Sequence, residues 1–162
     1  MQIASFAGLV RLAAAFAVAA CASLAAQAQG APVANDGLVK VRSTYPFDET
    51  VERLKRDIAS KGIRFFLSVD QSKLAADAGI ALRPSTLLIF GNPPLGAQFL
   101  TANAYSGLDW PVRLLVLQDE TGAVWTAYTD FGWIARRHGI TNRMPQFDTA
   151  TMVIDSITST VK

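Results

Sequence analysis

The chain has 162 residues, a formal net charge of +2 and a 51% share of hydrophobic residues, which suits one globular domain. Lys and Arg nearly balance Asp and Glu, and no Lys/Arg run is longer than a pair such as Arg136-Arg137, so a nucleic-acid or polybasic membrane role is not expected. A single cysteine, Cys21, excludes a disulfide framework within the chain.

The start of the chain reads as a targeting segment. Arg11 is its only charged residue, Leu12 to Ala26 is almost wholly apolar, and Ala26-Gln27-Ala28 follows as a small-x-small cleavage pattern. This is the pattern of a secretory signal peptide over residues 1–28. The apolar run falls short of the roughly 20 residues a membrane-spanning helix needs. Val18-Ala19-Ala20-Cys21 offers a competing cut, a lipobox after which Cys21 would be lipidated. Either cut predicts an exported protein, periplasmic or secreted in the first case and lipid-anchored in the second. Cleavage after Ala28 leaves 134 of the 162 residues, removes Cys21 and lowers the net charge to +1 through loss of Arg11. No membrane span is then expected in the mature chain.

Residues 29–36 read as a flexible mature N-terminus, and residues 37–162 as one domain. Leu38–Ser43 reads as a strand. Phe47, Val51, Leu54 and Ile58 mark one face of a helix, with Asp48 and Glu49 in its first turn and Lys55, Arg56 and Lys61 toward its end. Gly62 suits the position after that helix. Ile63–Val69 alternates, which predicts a strand with one buried face, and Asp70–Ala78 a short helix stopped by Gly79. Leu87-Leu88-Ile89-Phe90 is apolar at every position and predicts a central strand buried on both faces. Pro94–Ala104 predicts a helix, Tyr105–Pro111 a loop, and Val112–Gln118 with Ala123–Thr129 an antiparallel hairpin turned at Gly122. Phe131–His138 predicts a short helix, and the stripe from Phe147 through Ile154 and Ile157 to Val161 a C-terminal one. The order is β-α-β-(α)-β-α-β-β-α-α: an α+β domain with a mixed or antiparallel sheet of about five strands covered by helices.

Four stretches carry a resemblance. Pro84–Pro93 resembles the signature of the domain-of-unknown-function family 302. Leu108-Asp109-Trp110-Pro111 is similar to its Leu-Asp-Leu-Pro element, Gly122–Tyr128 to its Gly-x-Val-Trp-x-x-Tyr hairpin, and Arg137-His138-Gly139 to its Arg-His-Gly ending. The resemblance spans roughly Val39 to Ile157. It implies a compact α+β domain and no established activity. Where many members carry a His after the Val-Asp pair, this chain has Gln71.

The candidates for chemistry are few. Gly91 and Asn92 leave the central strand and either contact a ligand or form the turn that starts the next helix. Asp109 is a general base or orienting carboxylate in one reading and a loop cap in the other. His138, the only histidine, is either an acid–base group or a C-terminal helix cap. Tyr128, Trp110, Trp125 and Trp133 either line an apolar pocket or belong to the core. A metal site would have to rest on Asp70, Asp109 and Asp130, and no ligand spacing supports one. No cofactor is predicted, since no Gly-x-Gly-x-x-Gly, P-loop, His-Glu-x-x-His or Gly-x-Ser-x-Gly motif occurs. Two functions follow. One is a small-ligand-binding or protein-interaction module, with a homodimer among the alternatives for its partner. The other is an enzyme using Asp109 and His138 as an acid–base pair near Asn92.

Overall fold

The computed structural model describes residues 36–162; the expected signal peptide, Cys21 and nearly all of the expected flexible N-terminus lie outside the described residues. Strands β1 (Leu38–Arg42), β2 (Arg64–Asp70), β3 (Ser85–Gly91), β4 (Val112–Gln118) and β5 (Val124–Thr129) form one sheet of order β1-β5-β4-β3-β2. Every neighbouring pair is antiparallel. The helices are α1 (Phe47–Ser60), α2 (Gln71–Asp77), α3 (Pro93–Ala102), α4 (Phe131–Arg137) and α5 (Met144–Ser159). The element order is the expected one. β1 and β2 run parallel at opposite edges, so α1, which joins them, crosses the sheet. It does so on its apolar stripe of Val51, Leu54 and Ile58, all buried.

Alternation along the strands divides the sheet into two unlike faces. Leu88 opposes Leu114, Phe90 opposes Val112, and Val116 lies between Thr86 and Thr126. All six are buried. Phe99 of α3, Phe131 and Ile134 of α4, and Phe147, Ile154 and Ile157 of α5 close over this face. Burying one such side chain contributes about 1.5–3 kcal/mol, and this layer holds most of the domain's large apolar residues.

The second face corrects an expectation. Leu87 and Ile89 of β3 are only partly buried, although the unbroken apolar run predicts burial on both sides. The helices that bury apolar residues all pack on the first face, and α2 buries none. β2 departs further: its residues are exposed or nearly so on both faces, with Leu67 47% exposed. It is an edge strand, and a bulge between Phe65 and Leu67 breaks the alternation that predicts a buried side.

Smaller differences are local. The expected loop before Pro111 contains a 3-10 turn over Ala104–Leu108. The last turn of α1 holds no basic residue; Lys61 follows it as the cap and pairs with Asp57 at 2.6 Å. Gly62 takes φ +66° directly after that cap, a conformation open to glycine at no steric cost.

The β4–β5 turn is fixed by one carboxylate. Asp119 accepts from the Thr121 and Ala123 backbone N–H groups, from the Thr121 hydroxyl and from the Trp125 indole. The hydrogen bonds from the Thr121 hydroxyl and the Trp125 indole hold its pKa down at about 2. A carboxylate depressed in the folded state stabilises the fold above its unfolded value of about 3.9 and loses that contribution as pH falls. Asp119→Asn is therefore expected to lower the melting temperature at pH 7, with the difference from the parent vanishing as the pH falls through about 4 toward 2. Thermal unfolding across that range checks it; a pH-independent difference would contradict it.

Candidate functional site

Asp109 is 5% exposed and stands between the 3-10 turn and β4. A buried carboxylate requires compensating donors. Three side chains supply them. His138 Nε2 lies 2.6 Å from Oδ2. Arg137 donates through Nη1 to both oxygens at 3.3 Å. Arg113, four residues along the chain, donates through Nη2 to Oδ1 at 3.1 Å and to the Leu108 carbonyl at 2.6 Å. The His138 ring is itself buried, while the two arginines keep nearly half their side-chain surface in solvent.

His138 reaches this position because its backbone caps α4. Its N–H donates to the Ile134 carbonyl, so the ring is free to turn toward Asp109. Its own carbonyl accepts from Asn103 Nδ2 at 2.8 Å, while Asn103 Oδ1 accepts from the Tyr105 N–H. The end of α4 is thus bound to both ends of the 3-10 turn, to Asn103 at its start and to Asp109 at its close.

The next residue, Trp110, is joined to Pro111 by a cis peptide bond. Its ring stacks between Phe99, with centroids 4.6 Å apart, and Phe131, at 5.5 Å. Phe99 also packs on Phe147 at 4.2 Å. Trp110 Nε1 is buried and has no hydrogen-bond partner, a costly state for an indole N–H.

Trp110 lines two cavities. The larger, about 410 Å³, lies between the end of β3 and helix α5. Phe90, Val112, Phe131 and Val153 give it apolar walls, and Lys61, Asn92, Thr149 and Ser156 add polar groups. The smaller, about 250 Å³, is lined by Phe66, Leu100 and Pro111. Gly91, Asn92 and Trp110 line both. A Cβ added at Gly91 would meet Pro111 Cβ at 3.6 Å and Phe66 at 3.7 Å. Asn92 also caps α3, its Oδ1 accepting from the Leu95 N–H at 3.2 Å, with Pro93 following as the first helical residue.

The expected candidates thus fall into separate places. Gly91 and Asn92 border the cavities, with Trp110 beside them. Asp109 and His138 meet each other, but neither lines the larger cavity. The crevice that Asp109 shares with Tyr128 holds about 10 Å³, room for one water at most. Tyr128 is a core residue whose hydroxyl donates to Asp155 at 2.8 Å; burial and that carboxylate raise its pKa. Trp125 faces the other side of the sheet, and Trp133 lies under the Arg137 guanidinium at 5.4 Å. Asp70 and Asp130 cap α2 and α4. Among the described residues no group of three His, Cys, Asp or Glu could hold a metal ion. Sequence reasoning missed Arg113 and the cavity walls from α5. The spacing of Asp109 and Arg113 is a usable signal for the first; nothing local marks the second.

Comparison with known proteins places this arrangement in context. The family described as "Domain of unknown function DUF302" matches residues 39–160. A crystal structure titled as an uncharacterized conserved DUF302 protein from Bacillus stearothermophilus superposes with a TM-score of 0.71 at 16% identity, covering 78% of this chain and 99% of that one. At that identity the likeness speaks for the fold alone. Curated relatives named "Fluoride-specific ion channel FluC 1" are 38% identical over 110 residues in both Brucella suis and Brucella abortus. The match takes in 68% of this chain and 43% and 41% of those proteins, so the chain spans about two fifths of the length of the curated relatives it matches. Among the described residues no helix is long and apolar enough to cross a membrane.

Asp109→Ala is expected to cost on the order of 3 kcal/mol, because it leaves the buried His138 ring without its partner and two arginines without an anion. Arg113→Ala, removing a half-exposed partner, is expected to cost under about 1 kcal/mol. Urea unfolding of the two variants measures both, and equal losses would contradict the central position of Asp109.

Proposed function

The chain belongs to the DUF302 family, and on that premise we propose that it is a small-ligand-binding module whose site is the cavity beside Trp110. The observation that carries this reading is the cavity itself: about 410 Å³ of mainly apolar, aromatic-walled space with a few polar groups. That is within the roughly 300–1,000 Å³ of small-molecule sites. Asn92, with Lys61 at the rim in its pair with Asp57, supports a polar acceptor group such as a carboxylate or amide on an otherwise apolar body. Asn92 Oδ1 is committed to the helix cap, which leaves its amide nitrogen as the donor.

The 2.6 Å contact of His138 with Asp109 supports a second reading, an enzyme using that pair as acid and base. The ligand-binding reading is stronger, because the carboxylate already accepts from three side chains and its crevice admits no substrate. The fluoride channel named for the Brucella relatives does not transfer as an activity. We read the shared stretch as a domain those longer proteins carry beside their channel part, since the described residues contain no membrane-crossing helix.

Export is part of the same proposal and rests on the leader alone. The mature N-terminus is expected at Gln29, in the periplasm or outside the cell; lipidation at Cys21 is the alternative. Mass spectrometry of the protein from a bacterial host distinguishes them, and an uncut chain would overturn export.

For the ligand, thermal-shift measurements with aromatic and medium-chain carboxylates, benzoate and octanoate among them, are expected to raise the melting temperature by several degrees. Ligand at 100 times its dissociation constant contributes about 2.7 kcal/mol. Val153→Trp, which fills the cavity from α5, is expected to abolish the shift while preserving the far-UV circular dichroism. An undiminished shift in that variant would place binding elsewhere.

A further inference from the structure

A glycine inside a regular element weakens it, so its presence there calls for a local reason. For five of the described glycines that reason is a positive φ. Gly91, paired with Arg64 at the end of β3, and Gly96, inside α3, have no positive φ. Packing does not call for glycine at either position. Beyond its own helix, a Cβ at Gly96 would meet only Trp110 Cε3, at 3.8 Å. One at Gly91 would meet Pro111 Cβ at 3.6 Å and Phe66 at 3.7 Å. These are ordinary contact distances, so alanine fits in both places. Both glycines are buried, and both line the smaller cavity of about 250 Å³. That cavity is the space their missing side chains leave open. Among its other walls are Phe66 and Leu100, two apolar side chains that stand exposed.

We propose, on the ligand-binding reading of the larger cavity, that the two cavities form one site for a straight-chain aliphatic carboxylate or amide. The polar head and first carbons lie in the larger cavity, and the tail lies in the smaller. Lys61, Thr149 and Ser156 line only the larger cavity, which puts the head there. Apart from Asn92 and the Trp110 indole, the smaller cavity is lined by apolar side chains and glycine, which suits a tail.

The junction selects a chain over a ring. Gly91, Asn92 and Trp110 line both cavities. A single methyl group on Gly91 would touch both Pro111 and Phe66, so the passage over this residue is about one methylene wide. The Trp110 ring offers no face for stacking, because Phe99 and Phe131 cover both, at 4.6 and 5.5 Å. A flat ring therefore finds neither room nor a stacking surface at the junction, whereas a polymethylene chain passes along the indole edge. Gly91 sets the width of the passage, and Gly96 gives the tail its depth.

Isothermal titration calorimetry with octanoate and dodecanoate, each below its micellar concentration, tests the two-part site. The parent protein is expected to bind dodecanoate at least about tenfold more tightly, because four further methylene groups leave water. Gly91→Ala puts a methyl group in the passage, and Gly96→Leu fills the smaller cavity; each is expected to bring the two affinities nearly together. Gly96→Leu is expected to keep the parent's octanoate affinity, because Gly96 does not line the larger cavity. Without ligand, Gly91→Ala is expected to melt no lower than the parent. Octanoate binding with no preference for dodecanoate, or a preference that survives both variants, overturns the two-part site and leaves the larger cavity standing as a ligand site. A Gly91→Ala protein that melts well below the parent gives that glycine a packing role and overturns its assignment to the ligand. Failure of the parent to bind either acid removes the reading of the larger cavity, and the two-part site with it.

Discussion

Burial of the Asp109 carboxylate is the constraint on which the arrangement around the cavities depends. One carboxylate at 5% exposure draws three donor side chains from two segments: Arg113 from β4, and Arg137 and His138 from the end of α4. Because the charge cannot be left unpaired in the interior, the 3-10 turn, the start of β4 and the end of α4 have to meet. The position of Trp110 follows. Held one residue from Asp109, its ring enters the gap between Phe99 and Phe131 and becomes a wall shared by both cavities. The ionic cluster is thus a positioning device, and the surface that could hold a ligand is the aromatic one beside it.

The helices concentrate on one side of the sheet, and this shapes the rest. On that side α1, α3, α4 and α5 close a continuous core. The cavity of about 410 Å³ lies at the margin of that core, where Phe90, Trp110 and Phe131 face α5 without filling the space between. On the other side Leu87, Ile89, Leu115 and Leu117 remain partly open. The domain therefore carries two apolar surfaces of different kinds, a concave one beside Trp110 and a flat one on the side of the sheet that the burying helices leave open.

Much of this was legible in the sequence for local reasons. The stripe of Val51, Leu54 and Ile58 defines α1 by spacing alone, Asn92-Pro93 carries the start of α3, and the turn at Gly122 carries the hairpin. The pairing of Asp109 with His138 was legible as a candidate because the chain has one histidine, and a lone titratable side chain near a buried carboxylate attracts notice. The separation of that pair from the cavity was not legible. It depends on the side of Trp110 to which each group falls, and that is decided by the crossing of α5 over the end of β3.

The sequence by itself determined the elements, their order, the family to which they belong and the residues worth watching, because helical and strand periodicity, capping and turn chemistry act between near neighbours in the chain. Only the tertiary structure decided which strands lie at the edges and which sheet face is covered. An apolar residue reads the same whether a helix or solvent lies above it. The run Leu87-Leu88-Ile89-Phe90 shows the difference: its hydrophobicity announces a central strand, and the packing of α1, α3, α4 and α5 on one side determines that Leu88 and Phe90 are core while Leu87 and Ile89 are surface.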